Sequence, residues 1–408
     1  MMHILIVADG RSPITRRWIQ TMLAINIRVS LISTFPCQPI DKVNLAGILP
    51  LAFSALAGSQ VESASQLPDL PRPKSRLAGL RPFLQHLRYF LGPLTLLFYS
   101  SQFKKIVGDL KPDIVHALRI PFEGMLSSWL PEEIPLVIST WGNDLTLHAS
   151  GSILMRTFTR RTLKRTNGLI SDTLRDIHLA REWGLNPDAP VLEVPGNGGV
   201  DLHEIENIKN QDRPDPKFLK KDSPLIINPR GFRPGSVHQE VFFQSIPLVL
   251  KELPNAQFVC TGMLGQKEAL DWVNRLVIEK NVILLPYLNQ ADLWNLFLRA
   301  DVYVSISSHD GTPNTLLEAM ACGCLPICGD IESIREWITS GENGLLVDPH
   351  DPQAVAKAIV EACQDKVLQE KSKQLNREII RNKAEVTVVR RKVEAFYKDF
   401  FHQESKDG

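Results

Sequence analysis

Ser307-Ser-His-Asp-Gly-Thr-Pro-Asn-Thr-Leu-Leu-Glu-Ala-Met-Ala-Cys-Gly-Cys-Leu-Pro-Ile-Cys-Gly329 follows an apolar run, Val302–Ser305, and precedes another. Gly311 permits a sharp turn, and Pro313 is pre-organised for the start of a helix. A helix opening there leaves the N–H groups of Asn314, Thr315 and Leu316 pointing out of its end, an anion site suited to phosphate. Glu318, one turn on, can present a carboxylate to a pair of vicinal hydroxyls. Asp310, on the loop before the turn, can reach other hydroxyls. Thr315-Leu-Leu-Glu318 also fits a capping box, in which Glu318 bonds back to a backbone N–H.

Working outward, short apolar runs alternate with longer helical patterns, the mark of βαβ units and parallel sheets. Strands are expected at His3–Ala8, Val29–Ile32, Ile114–Ala117, Leu136–Ser139, Gly168–Ser171 and Val191–Val194. A second series runs Leu225–Asn228, Gln257–Thr261, Val282–Leu285, Val302–Ser305, Leu325–Cys328 and Gly344–Val347, with helices near 238–252, 266–279, 290–299, 313–322 and 351–378. Between the series, Pro195–Ser223 carries Pro195-Gly-Asn-Gly-Gly and Asp212-Arg-Pro-Asp-Pro, which is linker chemistry. The expected fold is α/β: two doubly wound, Rossmann-like domains, 1–198 and 199–384, with ligands at the carboxyl ends of the strands. The last helix, 385–408, carries Val389, Val393, Phe396, Tyr397 and Phe400 at helical spacing and is expected to fold back over the first domain.

Composition fits this reading. The chain has 408 residues, 44% hydrophobic and 22% charged, and a formal net charge of +1. That balance excludes a disordered chain and argues against a nucleic-acid partner bound by bulk charge. Residues 1–200 hold 21 basic and 15 acidic residues, and the rest hold 25 and 30. Ile4–Ala8 is too short for a secretion signal and runs into Asp9. The longest apolar stretch, Tyr89–Tyr99, is broken by Gly92-Pro93 and is well short of the ~20 residues of a spanning helix. Six cysteines do not make a disulfide framework. A cytoplasmic protein is expected, with peripheral contact at the inner face of a membrane. Cys322, Cys324 and Cys328 lack zinc-ribbon pairing and read as packing, so no metal and no cofactor are expected.

The stretch from Ser307 resembles the nucleotide-sugar motif of the family 4 retaining glycosyltransferases, whose GT-B fold has two facing Rossmann-like domains and an inter-domain cleft. Their pattern is two acidic residues eight positions apart, here Asp310 and Glu318, then a helix and a Gly-x-Pro segment, here Gly323-Cys-Leu-Pro326. The likeness continues through Glu336 and Gly341-Glu-Asn-Gly-Leu-Leu-Val-Asp348. Relatives more often have Glu at position 310, and the shorter Asp implies a donor sugar that sits differently or differs in kind.

The resemblance implies a hexosyltransferase that uses a UDP-sugar, UDP-glucose first, and a saccharide or glycolipid acceptor. Arg230, in Asn228-Pro-Arg-Gly-Phe-Arg233, matches the diphosphate-binding Arg. Arg233 substitutes for a Lys that is missing at the usual distance. Gly262, Tyr287 and Leu288 would line the base pocket, Glu318 would hold the ribose, and Asp310 with Gly311, Asn314, Thr315 and Leu316 would meet the sugar and diphosphate. Gly10, Arg11, Ser12 and Thr15 would form the loop approaching from the first domain. Trp141 stands where many relatives have a catalytic His, Asn143 lies beside it, and Asp144 would accept from an acceptor hydroxyl. A Trp has no acid–base role but stacks on sugars. A sugar-nucleotide epimerase and a binding subunit without turnover are the rival readings. Arg156, Arg160, Arg161, Lys164 and Arg165, with Arg72, Lys74, Arg76, Arg81 and Arg88 beside the Leu/Phe/Tyr-rich stretch, suit an anionic membrane face.

Overall fold

His3–Ala8, buried at every position, forms β1 of the computed structural model, which describes residues 1–56, 81–211, 216, 218–220 and 222–407. There follow α1 (Pro13–Ala24), β2 (Arg28–Ser33), β3 (Asn44–Ile48), α2 (Arg81–Leu110), β4 (Ile114–Ala117), α3 (Met125–Ser127), β5 (Leu136–Thr140), α4 (Ile153–Arg165), β6 (Gly168–Ser171), α5 (Leu174–Trp183) and β7 (Val191–Glu193). These strands make a seven-stranded parallel sheet in the order β3-β2-β1-β4-β5-β6-β7. The order reverses between β1 and β4, which is the switch point of a doubly wound sheet. Alternate residues of β1 serve opposite layers. Leu5 and Val7 pack with Leu96, Phe103 and Leu163 of α2 and α4, while Ile4 and Ile6 pack with Trp18 of α1. An inner strand covered on both faces is expected to be an apolar run, and β1 is one from Ile4 to Ala8.

The second unit starts at Val200. It holds α6 (Leu202–Asn210), β8 (Leu225–Asn228), α7 (Gln239–Glu252), β9 (Gln257–Cys260), α8 (Lys267–Leu276), β10 (Val282–Leu284), α9 (Gln290–Phe297), β11 (Val302–Ser305), α10 (Asn314–Cys322), β12 (Leu325–Gly329), α11 (Glu332–Arg335), β13 (Leu345–Val347), α12 (Pro352–Gln364) and α13 (Lys366–Ile379). Its parallel sheet has six strands in the order β10-β9-β8-β11-β12-β13, with the switch between β8 and β11. The chain then returns. The final helix, α14 (Val386–Asp407), belongs to the first unit from Thr387 onward. Its Val389, Val393, Phe396, Tyr397 and Phe400 join the layer of Ile4, Ile6 and Trp18. Phe400 lies so close to Gly168 that a Cβ there would meet its ring at 2.9 Å.

Several expectations are corrected. The presumed linker contains α6, capped by the Asp201 side chain, which accepts from the Glu204 N–H at 2.9 Å. Asp212–Asp215 lie outside the described residues, as do Arg72, Lys74 and Arg76. Residues 351–378 form two helices, because the Asp365 backbone leaves the helical region and its carboxylate caps α13. Gly311 turns without a left-handed backbone.

Gly92-Pro93 does not break its helix: α2 runs through it. A proline inside a helix leaves the carbonyl four residues earlier without its donor. Here that carbonyl is Tyr89's, and the Ser152 hydroxyl donates to it at 2.8 Å. The same hydroxyl accepts from the Met155 N–H at 3.1 Å and so caps α4. Ser152→Ala removes both bonds and is expected to cost about 1–3 kcal/mol, read as a lower urea midpoint at unchanged slope.

His116 sits fully buried on β4. Its Nε2 pairs with Ser139 Oγ at 2.8 Å and its Nδ1 with the Tyr397 hydroxyl at 2.6 Å. Burial drives its pKa down to about 3. The native state therefore holds it neutral, while the unfolded chain takes up a proton below about pH 6.5. Its contribution is complete above that pH and drains away as pH falls towards 3, at about 1.4 kcal/mol per pH unit. Thermal midpoints should fall from pH 7 to pH 5, and less steeply in His116→Asn, although that variant starts lower.

Candidate functional site

In the second unit, residues from β8, β9, β11 and the head of α10 converge at the switch point. Arg230 follows β8 and is only 6% exposed. Its Nη2 donates to Asp310 Oδ2 in a close ion pair, and its Nε has no partner. Asp310 Oδ1 accepts from the Gly311 N–H at 3.1 Å, and Oδ2 also accepts from Ser307 Oγ at 3.3 Å. Asp310 is therefore not a carboxylate turned outward to a sugar, as expected, but one whose oxygens hold Arg230 and the turn. Burial alone would lower the Arg230 pKa, and the Asp310 charge beside it more than reverses that. The Arg233 pKa is lowered, first of all by the neighbouring charge of Arg230. Arg233 lies within electrostatic reach of both Arg230 and Asp310, and Arg230 alone is ion-paired to that carboxylate.

The helix head lies on the same side. Tyr303, on β11, is within electrostatic reach of Arg230, and its hydroxyl pairs with Thr315 Oγ1 at 3.1 Å. Asn314 and Thr315 begin α10. The Leu316 N–H is already donated to the Pro313 carbonyl at 2.9 Å, so it leaves the expected set of free amides. Thr315 is inside the helix and no side chain caps its start, which rules out the capping box. Glu318 is buried and its Oε1 accepts from Gln290 Nε2 at 2.7 Å. Thr312 is anchored by the Trp337 indole N–H at 2.9 Å, and Ser333 Oγ donates to the Asp310 carbonyl at 2.8 Å. No motif announced Gln290, Trp337 or Ser333, because each acts through distant contacts.

Tyr287 is 58% exposed, so it is not core. Its ring lies over the left-handed glycine Gly262, where a Cβ would meet Cε1 at 2.7 Å, and its hydroxyl is 3.3 Å from where a Cβ on Gly231 would be. Leu288 packs half-buried against the core. The Leu285 and Pro286 carbonyls accept from Met263, Leu264 and Gly262. Cys322, Cys324 and Cys328 are buried free thiols whose pKa values burial pushes up.

The first unit departs further from expectation. Asp144 is fully buried. Its Oδ1 accepts from Arg119 Nε at 3.1 Å and Nη2 at 2.6 Å, and Oδ2 from the N–H groups of Ile120 and Trp141. It ties two loops together and does not face an acceptor. Thr15 is also fully buried, inside α1. Arg11 is bound back to Asp9 at 3.0 Å and lies over Phe35, and Ser12 starts α1 without a side-chain cap. The space beside Gly10 is filled by Cys37, so that glycine serves its own unit's packing. The Arg16 Nε donates to the Gly10 carbonyl at 3.1 Å. Trp141 stays half-buried beside Gly196 and Asp172, with Arg119 5.9 Å from its ring, and Asn143 follows it at the start of a short helical turn. Glu123, buried, has its pKa raised by desolvation.

Comparison with known proteins agrees with this architecture. The family described as Glycosyl transferases group 1 matches residues 210–383, and Glycosyl transferase 4-like matches residues 71–173. O-antigen chain mannosyltransferase B of Escherichia coli is 31% identical over 109 residues, 26% of this chain and 28% of that protein. Phosphatidyl-myo-inositol mannosyltransferase of Mycobacterium tuberculosis is 26% identical over 249 residues, 55% of this chain and 61% of that protein. The matches thus span less than two thirds of these relatives. Sucrose-phosphate synthase from Thermosynechococcus elongatus superposes with a TM-score of 0.70 at 15% identity over 99% of this chain and 100% of the other. Anabaena HepE in complex with UDP-glucose does so with 0.65 at 15% identity over 98% and 100%.

Gly262→Ala is expected to cost about 1–3 kcal/mol from the left-handed backbone, with a further penalty from the Tyr287 ring. Tyr287→Ala should recover only the second part, which a double-mutant cycle by thermal unfolding resolves.

Proposed function

The chain belongs to the group 1, family 4-type glycosyltransferases of GT-B fold, and from that premise we propose that it transfers a hexosyl group, with retention, from a UDP-sugar to a glycan or lipid-linked glycan. The observation that carries the proposal is Arg230: a buried guanidinium, clamped on one side by Asp310, with a donor left over at the switch point. A diphosphate there would meet Arg230, Arg233 and the first amides of α10, with Glu318 on the ribose. As the bond to the sugar breaks, charge grows on the leaving phosphate, and cations and amide dipoles already in place stabilise it. No metal is required in this reading. A phosphate oxygen takes the acceptor's proton as the acceptor attacks from the leaving group's side, which retains configuration. Asp310 acts by positioning Arg230.

Solved complexes of HepE with UDP and UDP-glucose, and mannosyl-transferring relatives, support a nucleotide-sugar donor carrying a hexose. Peripheral contact with an anionic membrane at its inner face is part of the same reading. Its support is α2, on which Phe90, Leu94, Leu97 and Phe98 are exposed along one side. Among the described residues no helix is long and apolar enough to cross a membrane.

With UDP-glucose and other UDP-hexoses, Arg230→Ala should lower turnover by about 10²–10³-fold, and Arg230→Lys by less, with far-UV circular dichroism unchanged. Near-normal turnover in a folded Arg230→Ala protein would refute the assignment. Epimerised sugar nucleotide, or tight UDP binding with neither transfer nor donor hydrolysis, would favour the rival readings.

A further inference from the structure

Helix α4 carries Arg156, Arg160, Arg161, Lys164 and Arg165 and no acidic residue. Arg156, Arg160 and Lys164 stand four apart, so like charges repel along one side, at a cost of a few tenths of a kcal/mol per pair. None of Arg156, Arg160, Arg161 and Lys164 has a carboxylate within bridging distance among the described residues. Two of them are nonetheless held in place. The Arg161 guanidinium lies 4.2 Å from the Trp129 ring centre, and that of Arg160 lies 5.6 Å from Trp183. Arg165 is used structurally, donating to the Leu130, Pro131 and Ile134 carbonyls and to Asn167.

These five cations line one open cavity of about 1090 Å³, against two acids, Glu132 and Asp188. Its other walls include Pro131, Asn167 and Pro190, which lie before β5, β6 and β7. The cavity is therefore at the amino edge of the first sheet. Asp9–Ser12 and Trp141 follow β1 and β5, at the opposite, carboxyl edge. A ligand held here is not the one undergoing transfer.

We propose that this cavity is a second anion site, taking a ligand with two or more phosphate-type charges. Fixed guanidiniums suit phosphate oxygens, which they bind in forked pairs. The volume suits a phosphorylated molecule or a lipid headgroup, not a lone ion. Such a ligand relieves the repulsion along α4.

The test uses the full chain at low salt, where exposed charge pairs are least screened. Inorganic tripolyphosphate is titrated in a thermal-shift assay with UDP saturating. The wild-type midpoint should rise saturably, and Arg156→Gln/Lys164→Gln should need about five- to tenfold more tripolyphosphate. Both side chains are exposed and the tryptophan-held arginines are kept, so this variant should fold and keep its response to UDP. Arg230→Ala should keep the tripolyphosphate response, so loss of the donor site and loss of this one are separate results. Co-sedimentation with phosphatidylcholine vesicles, with and without phosphatidylglycerol, identifies the source. Binding to anionic vesicles that falls in the double variant assigns the site to lipid headgroups. Unaltered vesicle binding, with the tripolyphosphate response weakened, assigns it to a soluble ligand. No saturable response in the wild type, or an equal response in the double variant, overturns the proposal.

Discussion

The ion pair between Arg230 and Asp310 organises the second unit's site. The two residues follow neighbouring strands, β8 and β11, at the point where strand order reverses, and 80 residues separate them in the chain. A buried guanidinium is costly without a counter-charge. Asp310 provides one, and the same carboxylate fixes the turn into α10 through the Gly311 amide. One contact therefore sets a cation and a helix end in register. Because the carboxylate takes only part of the guanidinium, the pair still presents a donor.

The first unit solves a similar problem in the opposite sense. Asp144 is fully used by Arg119 and two backbone amides, and the loops after β4 and β5 are locked by it. Nothing is left over for a substrate. Two acidic residues that read alike in the sequence thus differ in what surrounds them. The difference comes from how many donors the neighbouring loop brings, which is a tertiary property.

Most strands were legible to within a residue, because strands covered on both faces are uninterrupted apolar runs. β3, Asn44–Ile48, was not: it is a half-exposed edge strand without such a run. α6 was hidden among Gly, Asn and Pro, although Asp201 was there to signal its start. The continuity of α2 could not be read locally, since the hydroxyl that tolerates Pro93 comes from Ser152, 63 residues after Tyr89. The site's outline was legible where glycine and proline mark strand-to-helix turns. The pairings within it were not, because Arg230–Asp310, Gln290–Glu318 and Trp337–Thr312 are made by folding. Thr15 shows the converse: a polar residue near a loop was read as facing out, and packing of α1 turned it in.

The return of α14 has a consequence for biosynthesis. The hydroxyl that completes the hydrogen bonding of His116 belongs to a residue made 281 positions later. On the ribosome, Ile4, Ile6 and Trp18 emerge well before their cover, and the second unit, Val200–Val386, is made in between. The first sheet is thus synthesised before the second unit and sealed after it, so a nascent chain stalled before Tyr397 would display a sticky, chaperone-binding face.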